Sequence, residues 1–359
     1  MEGHPADGVL HAWEEIADRA WDNLLIGNGL SINISPKFAY ESLYEEAEKA
    51  TRRGTLDALD LAVFERFETS NFEVALGKLR DAIAMADVLN QSSQAYRQRF
   101  SSVQAALGAT IRGVHLMRSQ VPDPTLAAIK DELSKYGAIF STSYDLILYW
   151  ATGHGDDFAG FRDCFWGPDN AFDSANCTIW PGNTATYFTH GALHLIVDGA
   201  GRTRKLTGTD QTLLEQFGAS DPGDPEARPL LVTEGSSRDK LRTIESNHYL
   251  SHVYDVLKER SGPLVVFGHS LGDQDRHLID AINANPDRPV AISMVSEEDD
   301  LRERQSAIWG KLKLRAEDVF FFDATTHPLG VPTLRGAVPW TGFRPRAKRI
   351  GRAPTHDRT

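Results

Sequence analysis

The feature that most constrains this chain is the run Asn23-Leu24-Leu25-Ile26-Gly27-Asn28-Gly29-Leu30-Ser31, a short apolar strand leading directly into a Gly-x-Gly turn. Glycine at such a turn permits positive φ and lets a bulky group lie against bare backbone amides. A strand that ends this way near the start of an α/β chain is where the sheet usually meets nucleotide phosphates. The third glycine of the dinucleotide fingerprint is missing, because Ile32 follows Ser31. The turn by itself therefore leaves nucleotide binding and a purely structural turn both open.

From about Pro36 to Tyr136 the pattern changes to helical spacing. Leu56, Leu59, Leu61, Val63 and Phe64 crowd one segment, and Phe72, Val74, Leu76, Leu79, Ile83 and Ala86 form an apolar stripe in the next. Tyr96, Phe100, Val103, Leu107, Ile111 and Leu116 continue it to the break at Pro122-Asp123-Pro124, after which Thr125 to Tyr136 gives one more helix. Such stripes are packing faces. Strand signals resume at Gly137–Ser141 and recur at Pro229–Val232, Pro263–Phe267, Pro289–Val295 and Asp318–Asp323, short runs of the kind found in buried parallel strands. Thr184 to Leu206 reads as a hairpin. The expectation is a doubly wound, mostly parallel Rossmann-like α/β sheet with a helical insertion after its first strand. Its parts are residues 1–35 (first strand and turn), 36–136 (insertion), 137–333 (the rest of the sheet domain) and 334–359 (tail).

The 359 residues, 41% hydrophobic and 25% charged, have the make-up of an ordinary globular protein. No apolar run approaches the roughly 20 residues of a membrane span, and the start Met1-Glu2-Gly3-His4-Pro5 lacks the basic and apolar regions of a secretory leader. A cytoplasmic protein without membrane attachment is expected. Cys164 and Cys177 are too few for a four-cysteine zinc ribbon and read as two ordinary thiols, so no metal site is expected. The net charge of -12 argues against a broad nucleic-acid surface. Only the tail, with Arg344, Arg346, Lys348, Arg349, Arg352 and Arg358 among Pro, Gly and Thr, leaves such contact open; it reads as disordered.

Four loops fall at the C-terminal ends of expected strands, where open α/β sheets bind ligands. They are Gly27-Asn28-Gly29-Leu30-Ser31, Ser141-Thr142-Ser143-Tyr144-Asp145, Thr189-His190-Gly191 and Gly268-His269-Ser270-Leu271-Gly272-Asp273. The last matches the G-x-S-x-G nucleophile elbow, and Asp323 and His327 follow in the order a serine hydrolase needs, although only four residues apart. Taken singly, each residue has a plainer role. Asp145 would cap the helix through Leu146–Trp150, Ser270 or Asp273 would cap the helix after Phe267, and His190 would be a polar surface residue.

In this order the four loops resemble those of the sirtuin-like family, which carries a Gly-Ala-Gly-Ile-Ser phosphate loop, a Gln-Asn-Ile-Asp segment, a catalytic His-Gly and a late Gly-x-Ser nucleotide loop. The closer likeness is to bacterial sirtuin-like domains of anti-phage defence, which cleave NAD+ and whose second motif reads Thr-Thr-Asn-Tyr-Asp. Glu234-Gly235-Ser236-Ser237 and the segment Lys240–Leu250 add to this likeness. The zinc-binding cysteines and the Gly-Ile-Pro-Asp-Phe-Arg segment of protein deacylases are absent, which disfavours acyl-lysine chemistry. The resemblance implies hydrolysis of NAD+ to nicotinamide and ADP-ribose, with NAD+ as substrate and no separate cofactor. It makes Gly27, Asn28, Gly29, Ser31, Thr142, Tyr144, Gly268, Ser270 and Asp273 ligand contacts. His190 becomes the base or ribose-hydroxyl contact, and Asp145 a support for the loop or the nicotinamide end. Ser143 stands where the family places asparagine; it keeps a hydroxyl but loses the reach and paired donor and acceptor of an amide. A degenerate NAD+ or ADP-ribose sensor is therefore the alternative, and a serine hydrolase using Ser270 the third. A homo-oligomer or a gating partner is expected to hold such an activity in check.

Overall fold

Asn23–Ile26 forms the first strand, β1, whose side chains are at most 2% exposed. Burial on both faces is what an uninterrupted apolar run demands. The computed structural model describes residues 5–39, 43–50, 56–70, 72–155, 158–177, 182–207, 213, 227–232, 236–295 and 300–335. The Glu234-Gly235 pair and the basic tail lie outside these residues.

β1 lies inside a seven-stranded sheet built with β2 (Ala138–Ser141), β3 (Phe161–Arg162), β4 (Thr184–Phe188), β8 (Leu264–Phe267), β9 (Val290–Met294) and β10 (Val319–Asp323). The order is β10-β9-β8-β1-β2-β4-β3, and every pairing is parallel. From β1 the chain moves to β2 on one side and later returns to β8 on the other. The fold is thus a doubly wound, Rossmann-like α/β sheet, and its topological switch point lies between β1 and β8. Register sharpens this. Phe267, Ile26, Ser141 and Phe188 stand level across four adjacent strands. The four loops that follow them therefore leave one edge of the sheet side by side, over a row roughly 14 Å wide at ordinary strand spacing.

Between β1 and β2 the described chain is helical, with helices Leu43–Ala50, Ala58–Arg66, Phe72–Val88, Gln94–Val114 and Asp123–Leu133. Phe72, Leu76, Leu79, Ile83 and Ala86 are buried as their spacing predicts, and Phe64 bridges Tyr44 and Phe72 with ring centroids 5.0 and 5.1 Å away. Leu59 and Tyr96, read as members of these stripes, are instead exposed.

Three expectations are corrected. Pro229–Val232 is not part of the parallel sheet. Its strand, β7 (Arg228–Leu231), pairs antiparallel with β5 (Gly191–Val197) in a second sheet of order β6-β5-β7, where β6 is Thr203–Lys205. The prolyl Pro229, which cannot donate to a ladder, sits on an edge strand, where it is tolerated. The Thr184–Leu206 stretch is likewise not one hairpin. β4 joins the parallel sheet, and only β5 and β6 form antiparallel partners around the Gly199-Ala200-Gly201 turn. Gly191 makes the change of sheet possible: its φ is +74°, and a Cβ there would lie 2.0 Å from the Leu230 carbonyl oxygen. Finally, Cys164 and Cys177 are not separate thiols but a disulfide, with Cα atoms 4.4 Å apart.

Gly27 and Gly29 are demanded by the contact of two turns. A Cβ on Gly27 would meet the Gly268 carbonyl oxygen at 2.3 Å, and one on Gly29 would meet the Gly268 Cα at 2.5 Å. Gly27→Ala should destabilise the fold by about 1–3 kcal/mol, the usual cost of forcing atoms into a packed contact. Gly77→Ala, in the interior of Phe72–Val88 with nothing within 4 Å of the new methyl, should stabilise it by up to about 1 kcal/mol. Urea denaturation of the two variants checks both.

Candidate functional site

The first turn is held by backbone bonds. The Gly27 N–H donates to the Phe267 carbonyl and the Gly29 N–H to the Gly268 carbonyl, each at 2.8 Å. These two amides are therefore not bare, as the sequence had suggested, but lock the Gly27 turn onto the Gly268 turn. Asn28 donates through Nδ2 to the Phe38 carbonyl at 2.9 Å, anchoring the chain where it enters the helical insertion. The last hydroxyl of the turn, on Ser31, crosses to the second loop and donates to Asp145 Oδ2 at 2.5 Å.

Asp145 is the meeting point of the second loop. Buried at 4% exposure, it accepts from Ser31, from the Ser143 hydroxyl and, through Oδ1, from the Ile147 N–H at 2.8 Å. The last bond leads the chain into helix Ile147–Thr152, but the capping position is Leu146, so Asp145 stands one residue before the cap that the sequence suggested. The other two tie the glycine turn and Ser143 to one carboxylate. The next N–H, of Leu146, donates to His115 Nε2 at 3.0 Å, while His115 Nδ1 donates to the Leu116 carbonyl at 2.6 Å. Burial holds this imidazole below its ordinary pKa, in keeping with the neutral form that these bonds require. Thr142 donates through both N–H and hydroxyl to the Ile26 carbonyl. Tyr144 is half-buried, and its carbonyl accepts from the Leu193 N–H.

At the end of β4, His190 is not a surface residue. It is 4% exposed, and its Nε2 lies 2.9 Å from Nε2 of His277, itself 1% exposed. His277 is anchored twice by Ser237: its N–H donates to Ser237 Oγ at 2.9 Å, and its Nδ1 lies 3.2 Å from the same oxygen. Beside the pair, Asp275 accepts from Lys240 Nζ at 2.7 Å and lies 3.7 Å from His269 Nε2. Burial first, and then His277, hold His190 well below the usual histidine range; burial brings His277 to about 4. Burial alone would raise the Asp275 carboxyl, but His190, His269 and Lys240 outweigh it and keep the group below its ordinary value. His190, Asp275 and His277 offer three ligand atoms within 4.8 Å of one another, a donor set suited to a transition metal. The Lys240 ammonium on Asp275 works against a dication there.

The fourth loop lines a cavity of about 450 Å³ with walls from Gly29, Phe267, Gly268, Ser270, Met294 and Arg304. It opens at the ends of β1, β8, β9 and β10, and Ser143, Asp145 and His190 are not among its walls. Ser270 is exposed, and Asp273 caps no helix; it pairs with Lys311 Nζ at 2.6 Å, which holds its carboxyl below the ordinary value. The hydrolase triad does not assemble. His327 is fully buried, its Nδ1 accepts from the Leu329 N–H at 3.1 Å, and its Nε2 faces the Tyr136 hydroxyl at 3.2 Å. Asp323 caps the next turn through the Thr325 N–H. Both partners that Ser270 would need are spent elsewhere.

With this geometry in place, the family can be stated. The chain belongs to the family described as a domain of unknown function, DUF4917. Its model matches residues 24–329, from β1 to just past β10, and so takes in all four loops. No curated protein matches the sequence. Among the described residues, no helix is long and apolar enough to cross a membrane. His115, Lys240, His269, Asp275 and His277 were missed in the sequence because their roles depend on partners far along the chain. The one local signal was two histidines, 190 and 269, each two residues past a strand's C-terminal end.

Six buried histidines titrate below their ordinary value of about 6.5. They include His194 and His327 at about 3 and His277 at about 4, all through burial. The unfolded chain thus binds more protons than the fold does below about pH 6.5. Stability should be full above that pH and fall steadily toward pH 4, each group contributing up to about 1.4 kcal/mol per pH unit. His194 offers a direct check. Neither of its ring nitrogens has a partner among the described residues, Tyr149 and Phe188 lie 4.6 Å from its ring, and it borders a void of about 20 Å³. His194→Phe should raise stability at neutral pH by about 1 kcal/mol and flatten the acid limb of a denaturation series.

Proposed function

We propose that this protein binds NAD+ along the C-terminal edge of its parallel sheet and hydrolyses the nicotinamide–ribose bond. The observation that carries the reading is the level row of four strand ends at the switch point, with a cavity at one end and the buried His190 at the other. Ligands of open α/β sheets bind at this place. The adenosine half would occupy the cavity past Gly268, and the pyrophosphate would cross the Gly27–Ser31 turn. The nicotinamide ribose would reach the loops of Ser143 and His190. Water adds to the ribose carbon as nicotinamide leaves with the bonding pair; one proton is released, and the products are nicotinamide and ADP-ribose. Positioning and a polar contact to the sugar supply most of what such a step needs. The sirtuin-like resemblance of the four motifs supports the same reading, and a role in defence rests on that resemblance alone. Restraint by an oligomer or partner protein belongs to the same proposal.

A second reading, NAD+ or ADP-ribose binding without turnover, is favoured by one observation. The Ser143 hydroxyl is committed to Asp145, which leaves it no proton to offer a sugar or water.

Nicotinamide release from NAD+, measured beside calorimetric NAD+ binding, separates the two. The enzyme reading expects release by the natural sequence, a fall of roughly 10²-fold or more in His190→Ala, and a gain in Ser143→Asn. Binding without release in any form supports the second reading. Absence of both binding and release overturns both.

A further inference from the structure

His190 and His277 face each other through Nε2 at 2.9 Å inside the protein. A contact of that length between two neutral imidazoles holds one proton, and the side on which it sits decides the other end of each ring. If His190 Nε2 carries it, the His190 Nδ1 is left with a lone pair and is a base. If His277 Nε2 carries it, the proton of His190 is on Nδ1, and that atom is a donor.

Ser237 breaks the tie. Its Oγ already receives the His277 N–H at 2.9 Å, so the hydroxyl proton is available to give. His277 Nδ1, at 3.2 Å, is its one acceptor among the described residues. A hydroxyl proton directed at Nδ1 requires Nδ1 to be unprotonated, which puts the proton of His277 on Nε2, pointing at His190. The opposite arrangement would leave the half-buried hydroxyl proton without a protein acceptor among the described residues, at a net cost.

We propose that Ser237 and His277 are positioning residues that fix His190 as the tautomer protonated on Nδ1, so that His190 meets its ligand as a hydrogen-bond donor and not as a base. This rests on the reading of His190 as the group that meets the ribose of NAD+. No proton is transferred to His190 in this role; it donates to a ribose oxygen, and the proton released on hydrolysis goes to solvent. The charged and titratable groups facing the pair, Asp275, Lys240 and His269, act on both rings together. They bear on whether the rings are charged, whereas the bond from Ser237 decides which nitrogen holds the proton.

The test is long-range proton–nitrogen NMR on the full chain with nitrogen-15 histidine, with the His190 signals assigned by their loss in His190→Gln. The natural sequence should show a pyrrole-type Nδ1 and a pyridine-type Nε2 on His190. Ser237→Ala should shift both nitrogens toward the averaged or reversed pattern, and Ser237→Thr, which keeps the hydroxyl, should restore them. A pyridine-type Nδ1 in the natural sequence, or spectra unmoved by Ser237→Ala, overturns the proposal. In the nicotinamide-release assay, Ser237→Ala should lower kcat with KM unchanged, and release by the natural sequence should show no histidine ionisation between roughly pH 6 and 8. Spectra as expected with no NAD+ binding would sink the functional reading while leaving the tautomer assignment standing.

Discussion

Everything at the C-terminal edge of the large sheet depends on two backbone turns touching without side chains between them. Gly27 and Gly29 approach Gly268 so closely that two amide–carbonyl bonds of 2.8 Å, Gly27 to Phe267 and Gly29 to Gly268, join the two turns. This contact closes the gap between the two oppositely wound halves of the sheet at the point where a doubly wound fold would otherwise have an open crevice. The crevice is displaced sideways, into the cavity beyond Gly268. Glycine at these positions is thus a packing requirement before it is a binding one. A binding role has to be argued from what surrounds the turn.

What surrounds it is a pair of polar assemblies with different jobs. Asp145 collects Ser31, Ser143 and the Ile147 amide, so one carboxylate fixes the geometry of the glycine turn, the second loop and a helix start. The second assembly, around His190, is made of residues whose charges oppose one another in a buried space: Lys240 on Asp275, and neutral imidazoles on either side. Buried polar groups of this kind are costly unless every member has a partner. Ser237 and Lys240 supply those partners from helix Ser237–Glu245, which brings the segment after β7 into the site.

The parallel sheet was legible because its strands are buried on both faces and read as unbroken apolar runs bounded by Gly, Pro, Thr or Asp. The helical block was legible from its stripe of Phe72, Leu76, Leu79 and Ile83. β7 was assigned to the wrong sheet because an apolar run says that a strand is buried but not against what. The two-residue β3 is too short to leave any periodic signal. At the site, the positions of Ser31, Asp145 and His190 could be read from the turns that carry them. Their partners could not, since Ser31 reaches 114 residues along the chain to Asp145 and His190 reaches 87 to His277. The disulfide was missed for another reason: composition and compartment argue about cysteine chemistry in general, not about two sulfurs that a particular loop brings together.

One consequence follows from the glycine after His190. At Gly191 the chain leaves the large sheet for the small one, and the Val232 N–H of the segment leaving β7 holds the His190 carbonyl at 2.8 Å. The histidine backbone is therefore pinned between two separately hydrogen-bonded sheets, one of seven strands and the other of three. Because that bond ties the His190 carbonyl to the small sheet, a displacement of the small sheet would be felt first at the His190 backbone. The residue proposed to meet NAD+ is thus also the backbone junction between the two sheets.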